Sequence, residues 1–244
     1  MVSRSMKMKL GFGVACVAFA CALGLMGTIQ HMSSQGNLEP SPSLNQADES
    51  QIYDDEGYPH VDWEYWHDIN ADIIAWITIP ETGIDTAIVQ ARAHDPQRYL
   101  WTDIYGNWNP WGAIYLSAEC ADEGLNSRNA VIYGHNMGYG DSSMFADVAN
   151  YSDPTFASKH THVLIQTPEW KRKESVQFAE IVEGSETTKR TDFVSDEDFA
   201  MWYTERYKLA PIKLSEENDT TRITTLITCS YNYWSNERTV VYSK

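Results

Sequence analysis

The sequence predicts a mainly β fold. Eight short strands close into a barrel or pack as a sandwich, with a few inserted helices, behind one apolar N-terminal helix. Three observations carry this. An uncharged run of 20 residues stands near the N-terminus. Eight short stretches rich in β-branched or aromatic residues follow, each bounded by Gly, Pro, Asn or Asp. Only two stretches show helical spacing.

The apolar run begins at Leu10 and ends at Ile29. At about 1.5 Å per residue such a helix spans roughly 30 Å, the thickness of a bilayer's hydrocarbon core. Arg4, Lys7 and Lys9 precede it, so residues 1–9 are expected in the cytoplasm, 10–29 across the membrane and the rest outside. A cleaved signal peptide is the rival, since Ala18-Phe19-Ala20 and Ala20-Cys21-Ala22 have the small-residue form of cleavage sites. The run continues well past both. A lipoprotein site at Cys21 fits less well, because Ala18 stands where a large aliphatic residue belongs. Each reading exports the body. Residues 30–51 are polar, carry Pro40 and Pro42, and read as a tether. Residues 52–244 are the expected folded domain.

The predicted strands are 73–79, 84–89, 112–116, 130–133, 163–167, 175–183, 223–228 and 238–242. Residues 60–70 place Val61, Trp63, Trp66 and Ile69 at helical spacing. A second helix starts at Ser195, an N-cap followed by Asp196, Glu197 and Asp198, with Phe199, Trp202, Tyr203 and Leu209 as its apolar side.

Acids outnumber bases 34 to 18, and three of those bases precede the first acid, Glu39. The remainder therefore repels phosphate backbones, which excludes nucleic acid as a partner. Cys120 and Cys229 are the only cysteines beyond the apolar run, too few for a disulfide framework.

Three places can carry chemistry. His135 sits in the turn Tyr133-Gly134-His135-Asn136-Met137, after a strand; Cys229 ends another strand, Thr225-Leu226-Ile227-Thr228-Cys229; Arg238 opens the last strand nine residues on. If the last two strands form a hairpin, Cys229 and Arg238 face each other across its mouth. A thiolate can then attack a carbonyl, an imidazole can move the proton, and a guanidinium can steady the oxyanion.

Residues 69–242 resemble the sortases, class B in particular. The resemblance rests on residues 70–80 (NADIIAWITIP), 84–90 (IDTAIVQ), 133–137 (YGHNM), 143–145 (SMF) and 225–229 (TLITC), with Arg238 downstream. The insertion at 195–211 is similar to the long helix that separates class B from class A. This resemblance implies an eight-stranded barrel and a membrane-tethered cysteine transpeptidase of the Gram-positive cell surface. Such an enzyme cleaves an LPxTG-like sorting signal between Thr and Gly and joins the Thr to an amine of a peptidoglycan precursor or a pilin. By position, Cys229 would be the nucleophile, His135 the general acid and then base, and Arg238 the substrate and oxyanion holder. Tyr133, Ile227, Thr228 and Leu100 would line the peptide groove. No metal or cofactor is implied. One departure stands out: class B members often carry an acid just after the Cys, where this chain has Ser230 and Tyr231.

Other readings compete. Cys120 can pair with Cys229, which would abolish the nucleophile. His160 and His162 share one strand face as a possible metal pair, but no nearby Cys/His set completes a site. Trp101 to Trp111 (WTDIYGNWNPW) can stack on wall sugars, as in a non-catalytic wall-binding module, although core packing is the ordinary use of such residues. A secreted thiol peptidase is the third reading; the order His then Cys reverses the papain order.

Overall fold

Strand β1 (Ile73–Thr78) is a nearly continuous apolar run, and β2 (Asp85–Gln90) has an apolar centre, Ala87-Ile88-Val89, because both of their faces are covered. Ala75, Ile77 and Ile88 point into the main core with Ile132, Phe178, Leu226 and Val241. Ile73, Trp76, Ala87 and Val89 point the other way, into a second cluster with Trp66, Tyr99, Ile104 and Tyr115. The computed structural model describes residues 53–138, 140–184 and 189–244. The sequence-predicted span and tether lie outside them, and no helix among the described residues is long and apolar enough to cross a membrane.

The remaining strands are β3 (Tyr115–Leu116), β4 (Asn129–Tyr133), β5 (His162–Gln166), β6 (Lys171–Glu183), β7 (Ile212–Lys213), β8 (Ile223–Ser230) and β9 (Glu237–Ser243). The order around the sheet is β5-β1-β2-β3-β4-β8-β9-β6, and β6 pairs back to β5, which closes an eight-stranded barrel. The closing ladder runs from His162↔Ser175 to Gln166↔Lys171. Closure removes the free edges that an open sheet exposes. The ninth strand, β7, pairs only with β6, at Phe178 and Ala179.

The helices are α1 (Trp63–Ile69), α2 (Ala146–Ala149), α3 (Pro154–Lys159) and α4 (Asp196–Leu209). In α1 the Asp62 side chain accepts from the Tyr65 N–H, and Trp66 is buried. In α4 the Ser195 hydroxyl accepts from the Asp198 N–H. Phe199, Trp202 and Tyr203, at i, i+3 and i+4, pack on the main core.

Candidate active site

Three barrel strands bring the predicted site residues together. Strands β4 and β8 run parallel, with Tyr133 beside Ile227. Both therefore end at the same rim, where β4 passes into the turn that carries His135 and β8 reaches Cys229. Strand β9 returns antiparallel to β8 and places Arg238 directly opposite Cys229. Directly opposed residues project from the same face, as do residues two apart on one strand. Ile227, Cys229 and Arg238 thus share a face, and Thr228 takes the other.

The His135 turn is tied down at several points. Gly134 donates to the Ile227 carbonyl at 3.3 Å, and the Thr228 hydroxyl donates to the Gly134 carbonyl at 2.9 Å. The Phe145 N–H donates to the His135 carbonyl at 2.8 Å. A Cβ at Gly134 would stand 2.6 Å from the Phe145 ring, so only glycine lets the turn lie this close. Asn136 bridges the His135 turn and the end of β8: its Nδ2 donates to the Cys229 carbonyl at 3.0 Å, and its Oδ1 accepts from the Gly138 N–H at 2.9 Å.

The imidazole has its own anchor. His135 Nε2 lies 2.9 Å from the Leu100 carbonyl, and the Trp101 ring stands 5.9 Å from the His135 ring between centroids. Leu100 ends a 3₁₀ turn, Arg98–Leu100. The segment that follows folds back on it, and the Ala113 N–H bonds the Tyr99 carbonyl at 2.9 Å. Gly112, at φ +59°, permits this, since a Cβ there would lie 2.2 Å from the Tyr99 carbonyl oxygen. Burial pushes the His135 pKa below the usual imidazole range; the Leu100 bond opposes this, and the Arg238 charge adds to it.

Arg238 is half-buried. Its Nη1 donates to the Glu237 carbonyl at 2.9 Å, and its guanidinium carbon lies 3.0 Å from the place a Cβ would take on Gly184. Cys229 is half-buried and Cys120 fully buried, and both thiols are free, so the pairing considered from sequence does not form. Burial pushes the Cys120 thiol pKa up. Tyr115 stacks on Tyr133 at 5.4 Å, and its phenol is pushed well above its usual range by burial, then by Tyr133 and Cys229.

Of the residues expected to line a groove, Tyr133 is half-buried, beside Ile227, and Ile227 is buried on the Cys229 face. Thr228 is buried beneath the turn and bonds it. Leu100 meets the site through its carbonyl. The sequence marks Asn136 only as part of the YGHNM motif, and Trp101 only as part of the Trp101–Trp111 stretch, not as a neighbour of His135. One expectation is corrected. The Trp101–Trp111 stretch is not core packing throughout: Trp101 and Trp108 are exposed, and Trp111 alone among its tryptophans packs on the main core. His160 Nδ1 bonds the Pro80 carbonyl and His162 Nδ1 bonds Thr161; no cluster of three or more His, Cys, Asp or Glu able to hold a metal occurs among the described residues.

A profile of the sortase domain matches residues 77–244, more than half of the chain. The chain belongs to the sortase family. It is 29% identical over 176 residues to sortase B of Staphylococcus aureus, covering 71% of this chain and 69% of that one. With sortase B of Listeria monocytogenes it shares 37% over 92 residues, 38% of this chain and 35% of the other. Solved structures agree. A Staphylococcus aureus sortase B–substrate complex superposes at a TM-score of 0.65 with 28% identity, covering 74% of this chain and 82% of that one. Clostridium perfringens sortase B gives a TM-score of 0.66 with 26% identity, covering 74% and 97%. The protein is thus a class B-like sortase, a cysteine transpeptidase.

Proposed function

We propose that this sortase cleaves an LPxTG-like sorting signal between Thr and Gly and transfers the Thr carbonyl to an amine of a peptidoglycan precursor or a pilin. The observation that carries the reading is the opposition of Cys229 and Arg238 in one ladder, with the His135 turn bonded to the Cys229 carbonyl. The Cys229 sulfur attacks the Thr carbonyl while His135 takes the thiol proton, and Arg238 stabilises the oxyanion. Collapse breaks the Thr–Gly bond, and His135 returns the proton to the departing glycine amine. An incoming amine then gives its proton to His135, attacks the thioester and forms the new amide as sulfur leaves. That Staphylococcus aureus sortase B has been solved with a substrate, and that a sortase B has been solved with triglycine, supports both the peptide donor and the amine acceptor. Tyr133, Ile227, Thr228 and Leu100 are the proposed groove positions.

The bases before the apolar run at 10–29 support a single-pass anchor, with the catalytic domain outside a Gram-positive membrane. Incubation with a sorting peptide should give a mass adduct on Cys229 that hydroxylamine or an amine releases. No adduct at Cys229, with peptide still cleaved, would overturn the mechanism.

A further inference from the structure

Ten large hydrophobic side chains are exposed among the described residues, and six of them, all aromatic, stand in two loops beside the His135 turn. Trp101, Tyr105 and Trp108 lie in the loop that follows Leu100; Tyr231, Tyr233 and Trp234 lie in the loop between Cys229 and Arg238. Both loops touch the site. The Trp101 ring is 5.9 Å from the His135 ring, and the Tyr231 hydroxyl donates to the Asn136 carbonyl at 3.4 Å.

Both loops are braced from beneath. Thr102 bridges Trp108, and Asp103 Oδ1 accepts from the Tyr105 and Asn107 N–H groups at 3.0 Å each. In the second loop the fully buried Glu237 carboxylate accepts from the Asn232 and Tyr233 N–H groups at 3.3 and 3.0 Å. Asn232 Nδ2 donates to the Ser152 hydroxyl at 2.8 Å. The rings are therefore held out on ordered backbone, where ordering on binding costs little.

The charge of the rim indicates what it meets. Neither loop holds a lysine or arginine, and the carboxylates of Asp103 and Glu237 are buried and turned onto loop backbone. The nearest charges lie at the loop edges and are engaged: Arg238 donates to the Glu237 carbonyl, and the Glu183 carboxylate accepts from Asn236. The loops themselves thus offer neither an ammonium or guanidinium to an anion nor an exposed carboxylate to a cation. The one branched aliphatic side chain of the two loops, Ile104, is buried. The rim thus presents exposed aromatic rings beside the exposed Asn107 amide, with the Nδ2 groups of the neighbouring Asn232 and Asn236 held by Ser152 and Glu183. That pairing suits a neutral ligand with apolar ring faces and a girdle of hydroxyls, which is a saccharide.

We propose that this rim is a glycan subsite on the acceptor side: it stacks on the sugars of a saccharide-linked amine and holds that amine against the Cys229 thioester. The inference rests on the proposed function and narrows its acceptor to a glycan-bearing one. The test uses the full chain in detergent, one sorting peptide, and two acceptors that share an amine-bearing stem peptide, one of them carrying an N-acetylhexosamine disaccharide. The wild type should show a KM about tenfold lower for the glycan acceptor. Trp108→Ala and Trp234→Ala should erase that difference while leaving kcat and both the bare-acceptor and sorting-peptide KM unchanged. Equal KM values for the two acceptors in the wild type would overturn the subsite. So would variants that raise the sorting-peptide KM, which would place the rim on the donor side. Thioester formation without transfer to either acceptor would instead refute the transpeptidation reading, and the subsite with it.

Discussion

The backbone carbonyl of Leu100 and Nε2 of His135 are 2.9 Å apart. A carbonyl oxygen can only accept, so Nε2 carries the hydrogen and Nδ1 keeps the lone pair in the neutral ring. In the proposed mechanism the thiol proton therefore goes to Nδ1 and returns from it, while Nε2–H stays on Leu100. Burial and the Arg238 charge together hold the imidazole below its usual pKa of about 6.5. The neutral base thus persists to lower pH than in a free histidine. The acid limb of kcat/KM should fall below pH about 6.5, and nitrogen chemical shifts of His135 at neutral pH should report the Nε2–H tautomer. An acid limb well above that value would contradict this assignment.

Beside the Gly134 bonds to Ile227 and Thr228, Asn136 ties the His135 turn to the end of β8 through one side-chain donor, Nδ2 on the Cys229 carbonyl. Asn136→Asp keeps the shape and the acceptor for the Gly138 N–H but loses that donor. One such bond is worth about 1 kcal/mol, so kcat should fall about 5- to 10-fold with KM little changed. Asn136→Ala should lose at least as much. Melting temperatures and Cys229 alkylation by a small electrophile separate this from unfolding: both should stay near wild type. Full kcat in Asn136→Asp would remove the positioning role.

Cys229→Ala should abolish acyl transfer, whereas Cys120→Ala should retain it. Cys120 is buried in the main core, and its Sγ donates to the Asn129 carbonyl at 3.4 Å. Its loss should cost stability on the order of 1 kcal/mol and leave turnover intact. Iodoacetamide on the native protein should label Cys229 and spare Cys120, whose raised pKa and burial keep it a thiol. Turnover retained without Cys229 would end the assignment of the nucleophile.

Much of this was legible in the sequence, and the exceptions have physical causes. All eight predicted strands are barrel strands, because short β-branched runs between turn residues carry a strong local signal. Strand β6 nevertheless begins at Lys171, four residues early, since its charged stretch 171–174 reads as surface until the β5 ladder is seen. Strand β3 shrinks to Tyr115–Leu116 because Gly112 bends the chain before it. Strand β7 and helix α2 are too short to show any period. In the site, the nine-residue spacing of Cys229 and Arg238 pointed to their opposition, as a hairpin requires. The Leu100 carbonyl did not show, because every residue has a carbonyl and only the fold selects one 35 positions from His135. Aromatic identity alone likewise does not tell the exposed Trp108 from the half-buried Trp111.

Arg238→Lys should lower kcat far more than its conserved charge suggests. The Arg238 guanidinium is held in place: Nη1 donates to the Glu237 carbonyl at 2.9 Å, and the fork lies against Gly184. With one edge anchored, its remaining donors keep a fixed direction as the scissile carbonyl of the proposed sorting signal becomes tetrahedral. An ammonium on a flexible stem cannot hold an anchor and aim a second donor with the same geometry, and it keeps its water shell. Removal of one oxyanion donor costs about 10²–10³ in kcat, and a loss of that size is expected here with KM changed much less. The rival role is electrostatic, with the positive charge acting only on its neighbours. His135 separates the two, because Arg238 lowers its pKa. Lysine retains that effect, so Arg238→Lys should keep the wild-type acid limb while kcat collapses. Arg238→Ala loses the charge, so its acid limb should move up in pH. Measuring kcat and kcat/KM of both variants from about pH 5 to 9 decides the matter. Near-wild-type kcat in the lysine variant would show that Arg238 serves as a charge and not as an aimed donor.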